Sequence, residues 1–231
     1  MVAPGAAPSP TGSVERVASE NAPLGVRPPR QARSRAALER ILVSAEQVLA
    51  DTGFDDLTMA AVAERAGLSV GAIYRRFEGK EHLLIAVKDR LLTRVEDAIT
   101  AALDATHGGL PEIIDAFTHA LADGFSAGAH VIPHVAGTSH NIGSSERSRR
   151  ALENIQRLFL DATTAHLDQV RRSDPTTALA IAFRTITAAC IHRTITWRAV
   201  PDGISWDRWS EQVADMATLY LTTPAPGNRH A

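Results

Sequence analysis

The chain has 231 residues, 45% of them hydrophobic and 22% charged, with a net charge of −2. This is ordinary globular material, long enough for one or two domains, and its balance excludes a protein that holds polyanions by bulk positive charge. Its one cysteine, Cys190, excludes an intrachain disulfide framework and a cysteine zinc site.

Charge is unevenly distributed. From Arg27 to Arg40 there are five arginines (27, 30, 33, 35 and 40) against Glu39 alone, a local +4. From Leu91 to Ala231 there are 12 basic and 15 acidic residues, a local −3. A basic patch confined to one end suits phosphate neutralisation there and a different task elsewhere. The start, MVAPGAAPSPTGSVE, lacks the basic and apolar regions of a secretory signal. No uninterrupted apolar run reaches the ~18 residues of a membrane span. A cytoplasmic protein with no membrane partner is expected.

Residues 1–30 hold six of the twelve prolines, set among Gly, Ala and Ser, and are expected to be a disordered tail. From Arg33 the pattern turns helical: Ala37, Ile41, Ala45, Val48 and Leu49 mark one buried stripe, and Gly53 stops it. Phe54 and Leu57 then drop into the core. Thr58 suits the N-cap of a second helix, with Val62 and Ala66 inward and Gly67 at its end. Ser69 caps a third, Ser69 to Arg76, with Ile73 and Phe77 inward. After Glu78-Gly79 a long helix is expected from Lys80 towards Asp104, with Leu84, Val87, Leu91, Val95 and Ile99 along one face. Beyond His107-Gly108-Gly109, and with Pro111 at a helix start, helices are expected over 111–127, 145–172, 175–199 and 206–222. Residues 128–143 are expected to hold one short helix or a loop. Strand-like alternation is absent, so the fold class is all-α.

Two short helices hinged at Gly67 are the layout of a DNA-reading helix-turn-helix. An α-helix fits the major groove, and phosphates must be gripped on both sides to hold it there. Val70, Gly71 and Ala72 near the start of the third helix are small enough to let its backbone approach base edges. Tyr74, Arg75 and Arg76 follow with a hydroxyl and two guanidiniums. Thr58 and Lys80 stand at the N-termini of flanking helices, where free amides favour phosphate. Arg33 and Arg35 can anchor the arm leading into the fold.

These residues resemble the TetR family of transcriptional regulators. The resemblance runs from Ile41 to Val87, ILVSAEQVLADTGFDDLTMAAVAERAGLSVGAIYRRFEGKEHLLIAV, about a fifth of the chain. It is carried by Gly53-Phe54, Thr58, Val62-Ala63, Ala66-Gly67, Ser69, Gly71, Ile73-Tyr74, Phe77, Gly79-Lys80 and Leu83-Leu84. It implies a helix-turn-helix domain over 31–80 and a helical ligand-binding and dimerisation domain over 81–231. It further implies a homodimeric repressor whose partners are a near-palindromic double-stranded DNA operator and a small-molecule effector. By position, Tyr74 and Lys80 match phosphate-contacting residues, and Thr58 matches a cap that also meets phosphate. Val70, Gly71, Ala72, Arg75 and Arg76 fall where bases are read, with Ser69 a further polar reader.

The family pairs its last two long helices with their copies. The matching faces are Leu179, Ile181, Ala182, Ile186, Ala189 and Cys190 on one helix, and Trp206, Trp209, Val213, Met216, Ala217, Leu219 and Tyr220 on the other. Ala178, Ala182 and Ala189 form a small-residue stripe suited to close approach. A pocket for a mainly apolar ligand is expected among Phe117, His119, Phe125, Phe159, His166, Phe183, Thr187 and Trp197. Alternatives are an activator, a regulator controlled by a protein partner, or a small-molecule-binding helical protein without DNA activity. No HExxH, GxSxG, P-loop or dinucleotide fingerprint occurs, so no enzyme and no cofactor are expected. His130 and His134 have a chelating spacing, but Pro133 lies between them and no metal site is expected.

Overall fold

The computed structural model describes residues 30–132, 142–196 and 199–224. Residues 1–29 of the expected tail, Arg27 among them, and Pro133, His134 and Trp197 lie outside them, while Arg30 already belongs to the first helix. Among the described residues every regular element is helical.

Helix α1 (Arg30–Thr52) begins three residues before the predicted stretch. It buries Ile41, Leu42, Ala45, Val48 and Leu49 and leaves residues 31–36 exposed. Gly53 ends it at φ +82°, a left-handed conformation that glycine takes without the Cβ penalty, and its N–H reaches the Leu49 carbonyl at 3.0 Å. Helix α2 (Met59–Ala66) is capped by Thr58 and ends at Gly67, φ +62°. Helix α3 (Val70–Tyr74) is shorter than the predicted Ser69–Arg76. Its last turn tightens, with the Arg76 N–H on the Ile73 carbonyl at 2.8 Å, so Ile73 and Phe77 both point into the core.

Helix α4 (Lys80–Asp104) buries Leu83, Leu84, Val87, Leu91, Val95 and Ile99, one face of the helix. Helix α5 (Leu110–Ala127) carries Pro111 in its first turn, as predicted. It is the central post of the second half, packing against α4, α6 (Ile142–Thr164), α7 (Pro175–Thr196) and α8 (Trp206–Thr222). The first half packs α1 on α2 and α4, so α4 belongs to both halves and one apolar core runs through it.

The predicted helix over 145–172 is corrected: α6 stops at Thr164. The Thr163 and Thr164 hydroxyls donate to carbonyls of the preceding turn, at 2.8 Å and 2.6 Å. Beyond them distant partners capture the backbone. After a short 3-10 turn (Leu167–Gln169), Gln169 Oε1 accepts the Leu110 N–H at 2.9 Å and satisfies the start of α5. The Arg171 N–H donates to the Leu221 carbonyl at 2.7 Å. Asp174 then accepts from the Thr177 N–H (3.0 Å) and hydroxyl (2.6 Å), bonds that hold its carboxyl below the usual carboxylate range and start α7.

An 18-residue window of α7 has a mean hydropathy of 1.2, and by length and composition the helix is apolar enough to cross a membrane. Half of that window is buried within the subunit. Its interior Arg193 has its guanidinium within 5.1 Å and 5.3 Å of the Trp206 and Trp209 ring centroids and donates to Asp202 at 2.5 Å. Cys190, fully buried on the same helix, has its thiol pushed up to about 12 by burial. The thiolate is the nucleophile, so negligible labelling by a disulfide reagent at pH 7 is expected in the folded protein. One thiol per chain should react in denaturant. Rapid native labelling, read as released chromophore, would contradict this burial.

Candidate nucleic-acid interface

Gly67 turns the chain between α2 and α3, whose N-caps are Thr58 and Ser69. Thr58 accepts the Ala61 N–H at 3.1 Å, and Ser69 accepts the Ala72 N–H at 3.2 Å. Both caps are exposed and keep a hydroxyl hydrogen to donate. Val70, Gly71, Tyr74, Arg75 and Arg76 are exposed and Ala72 is half-buried, so each predicted reading residue is at least partly accessible. Tyr74 is 53% exposed, too open for a packed core aromatic.

Two predicted contacts are tied elsewhere in this structure. Lys80 donates to the Phe54 carbonyl at 2.5 Å and lies 4.2 Å from the centroid of the Phe54 ring. Arg76 donates to Ser34 Oγ at 3.1 Å, linking the segment after α3 to the exposed start of α1. Ser34 was not among the sequence candidates, because 42 residues separate it from Arg76. Arg33 and Arg35 stand exposed on either side of Ser34.

Ion pairs hold this unit on α4. Arg90 contacts Glu39 (2.5 Å) and Glu46 (2.8 Å) on α1, and Arg94 also reaches Glu46 at 3.0 Å. The Arg90 guanidinium keeps the Glu39 carboxyl below its ordinary range. Arg65 of α2 pairs with Asp51 of α1 at 2.6 Å. On its other side α4 presents Asp89 and Glu96 to Arg147 of α6, each at 2.6 Å.

The predicted pocket residues separate into groups. Phe117, Phe159 and Phe183 meet, with ring centroids 4.7, 5.8 and 6.1 Å apart, and all are buried. Thr187 is also buried, and its hydroxyl has no hydrogen-bond partner among the described residues. The same holds for Thr118, which was not among the predicted pocket residues. His119 instead lies partly exposed beside Asp115, 3.3 Å from its carboxylate. His166 contacts Gln169 at 3.1 Å in the turn after α6. Phe125 is half-buried at the edge of the core. No group of three or more metal-ligating side chains occurs among the described residues.

Residues 41–87 match the family model for bacterial regulatory proteins of the tetR family. This segment is thus similar to the DNA-reading unit of the TetR family. The transcriptional repressor KstR of Mycolicibacterium smegmatis is 36% identical over 77 residues, 33% of this chain and 37% of that protein. The chain thus matches little more than a third of that curated relative's length. Beyond the reading unit the likeness is one of fold. A candidate TetR-family regulator from Mesorhizobium loti superimposes with a TM-score of 0.64 at 16% identity, covering 80% of this chain and 95% of that one. The regulator FadR of Bacillus subtilis, solved in complex with stearoyl-CoA, superimposes with a TM-score of 0.61 at 17% identity, covering 79% and 98%.

Proposed function

We propose that this chain is a DNA-binding transcriptional regulator of the TetR family without enzymatic activity. It acts in the cytoplasm as a homodimeric repressor released from its operator by a small, mainly apolar ligand. The observation that carries the reading is the exposed α3 surface. Val70, Gly71 and Ala72 open the backbone to base edges, Ser69, Arg75 and Arg76 supply polar readers, and Tyr74, Thr58, Lys80, Arg33 and Arg35 flank them for phosphate. Residues 31–80 form the reading unit and 81–231 the ligand and dimer unit.

The dimer face is supported by apolar residues left uncovered on the last two helices. Ile181, Ile191 and Ile195 are 46%, 37% and 49% exposed, and Met216 and Leu219 are 68% and 63% exposed. The expected face of α7 is corrected: Ala178, Leu179, Ala182, Ile186 and Cys190 are buried within the subunit, and of that face Ile181 is the exposed large residue, in line with Ile191 and Ile195. A two-fold dimer reads two half-sites about one helical turn apart, ~34–36 Å, hence a near-palindromic operator.

Ligand binding is supported by the aromatic cluster of Phe117, Phe159 and Phe183 together with the unpaired hydroxyls of Thr187 and Thr118. A buried unpaired hydroxyl costs about 1–3 kcal/mol, which a polar group on a bound apolar ligand would offset. Such a ligand would displace α4, and with it the reading unit.

The test is selection from random duplex DNA with the purified protein, followed by sedimentation of free and bound species. Enrichment of a near-palindrome by two chains per duplex is expected. A protein that stays monomeric and retains no double-stranded sequence would refute the proposal.

A further inference from the structure

Arg90 and Arg94, near the middle of α4, pair with Glu39 and Glu46 of α1, so a change in the tilt of α4 would be carried to the reading unit. Beyond that join α4 is seated against α5 and, with Arg147 on Asp89 and Glu96, against α6. At the α5 seat two glycines stand one turn apart, Gly124 within α5 and Gly128 just past its end, and α4 carries Leu91 and Val95 with the same spacing. A Cβ added at Gly124 would lie 2.5 Å from Val95 Cγ2 and 3.3 Å from Val95 Cβ. One added at Gly128 would overlap Leu91 and lie 2.9 Å from Ile132 Cδ1. Each glycine is therefore the hole for one branched side chain of α4. Val95 and Leu91 are 3% and 2% exposed, so neither can turn out of the way without leaving the core.

We propose that Gly124 and Gly128 are specificity-determining positions for DNA binding: they fix the tilt of α4, and through it the operator spacing the dimer accepts. This rests on the dimeric DNA-binding reading above. A methyl group at Gly124 must push Val95 back by about 1 Å to reach ordinary contact. With ~1.5 Å rise per residue, Val95 lies ~14 Å from the Asp104 end of α4 and Lys80 lies ~36 Å from it. A pivot at that end turns the push into a displacement of ~2.5 Å at Lys80. The two subunits together change the separation of their α3 helices by ~5 Å, between one and two base-pair steps of ~3.4 Å.

The experiment measures affinity for duplexes carrying the two selected half-sites at a graded series of spacings. It compares the wild-type chain with Gly124→Ala, Val95→Ala and the double variant. Gly124→Ala is expected to bind the wild-type spacing about tenfold more weakly, the scale of one lost base-pair contact, and to prefer a spacing changed by about one base pair. The double variant, in which the Val95→Ala truncation leaves room for the new methyl, returns affinity and spacing to within about twofold of wild type. A change in packing alone would lower the melting temperature without moving the preferred spacing. Should Gly124→Ala fail to fold, Val95→Ala decides. It empties the hole and should broaden the accepted spacings, and an unchanged spacing profile would overturn the proposal. A folded Gly124→Ala with the wild-type profile would overturn it as well. If the wild-type chain selects no duplex, the DNA-binding reading itself falls, and this inference with it.

Discussion

Phe159→Ala should destabilise the helical bundle by about 3–5 kcal/mol, the usual range for deleting a fully buried aromatic ring. The ring has no exposed surface and stands between Phe117 of α5 and Phe183 of α7, with centroids 4.7 and 5.8 Å away. Truncation removes its burial and also leaves both neighbouring rings without a contact on one side. The helices that carry them are held by capping bonds and by packing elsewhere, so they cannot collapse fully into the space. A domain of this kind has roughly 5–15 kcal/mol in hand, so the loss is a large fraction of it. Thermal melting followed by circular dichroism should register a fall of about 10 °C. Leu152→Ala on the same helix is the control, since Leu152 is 43% exposed and should change stability by under about 0.5 kcal/mol. A Phe159→Ala effect no larger than that control would show that the three rings border open space instead of filling a core.

The double substitution Tyr74→Phe with Lys80→Met should weaken binding to every duplex, selected or random, by about tenfold or more. The slope of log affinity against log salt should fall by about 0.9, one phosphate's share. Both side chains are assigned to phosphate, so base preference should not change. Tyr74→Phe removes only the exposed hydroxyl. Methionine at position 80 keeps an apolar stem against Phe54 while removing the ammonium. The competing role for Lys80 is structural, because its ammonium donates to the Phe54 carbonyl at 2.5 Å in the free protein. The two roles give different readouts. A structural lysine would lower the melting temperature and leave the salt slope intact. A phosphate lysine, swung from Phe54 onto DNA, changes the slope. An unaltered slope together with unaltered affinity would remove both residues from the interface.

Much of the fold is legible in the chain because its signals are local. Thr58 and Ser69 cap the helices they precede, Gly53 and Gly67 take the left-handed turns that end α1 and α2, and the 3.6-residue period of α4 names its buried face apart from Leu83. The span 206–222 also matches α8. The proposed reading residues fall together for the same reason: within a helix of five residues, neighbours in sequence are neighbours in space. The region 145–172 is the counterexample. Its composition permits one long helix, but the chain leaves it after Thr164 because Gln169 and Arg171 find backbone partners on α5 and α8.

The sequence by itself determined an all-helical chain and the two short capped helices between Thr58 and Lys80, since periodicity, capping and turn chemistry act over a few residues. Only the tertiary structure decided which face of α7 is inside, that Arg90 clamps α1 to α4, that Arg76 reaches Ser34, and that Gly124 and Gly128 hold Val95 and Leu91. Those pairings join residues tens of positions apart, and they depend on how helices cross. A crossing is chosen by the joint packing of all the side chains between two helices, which no single stretch of chain encodes.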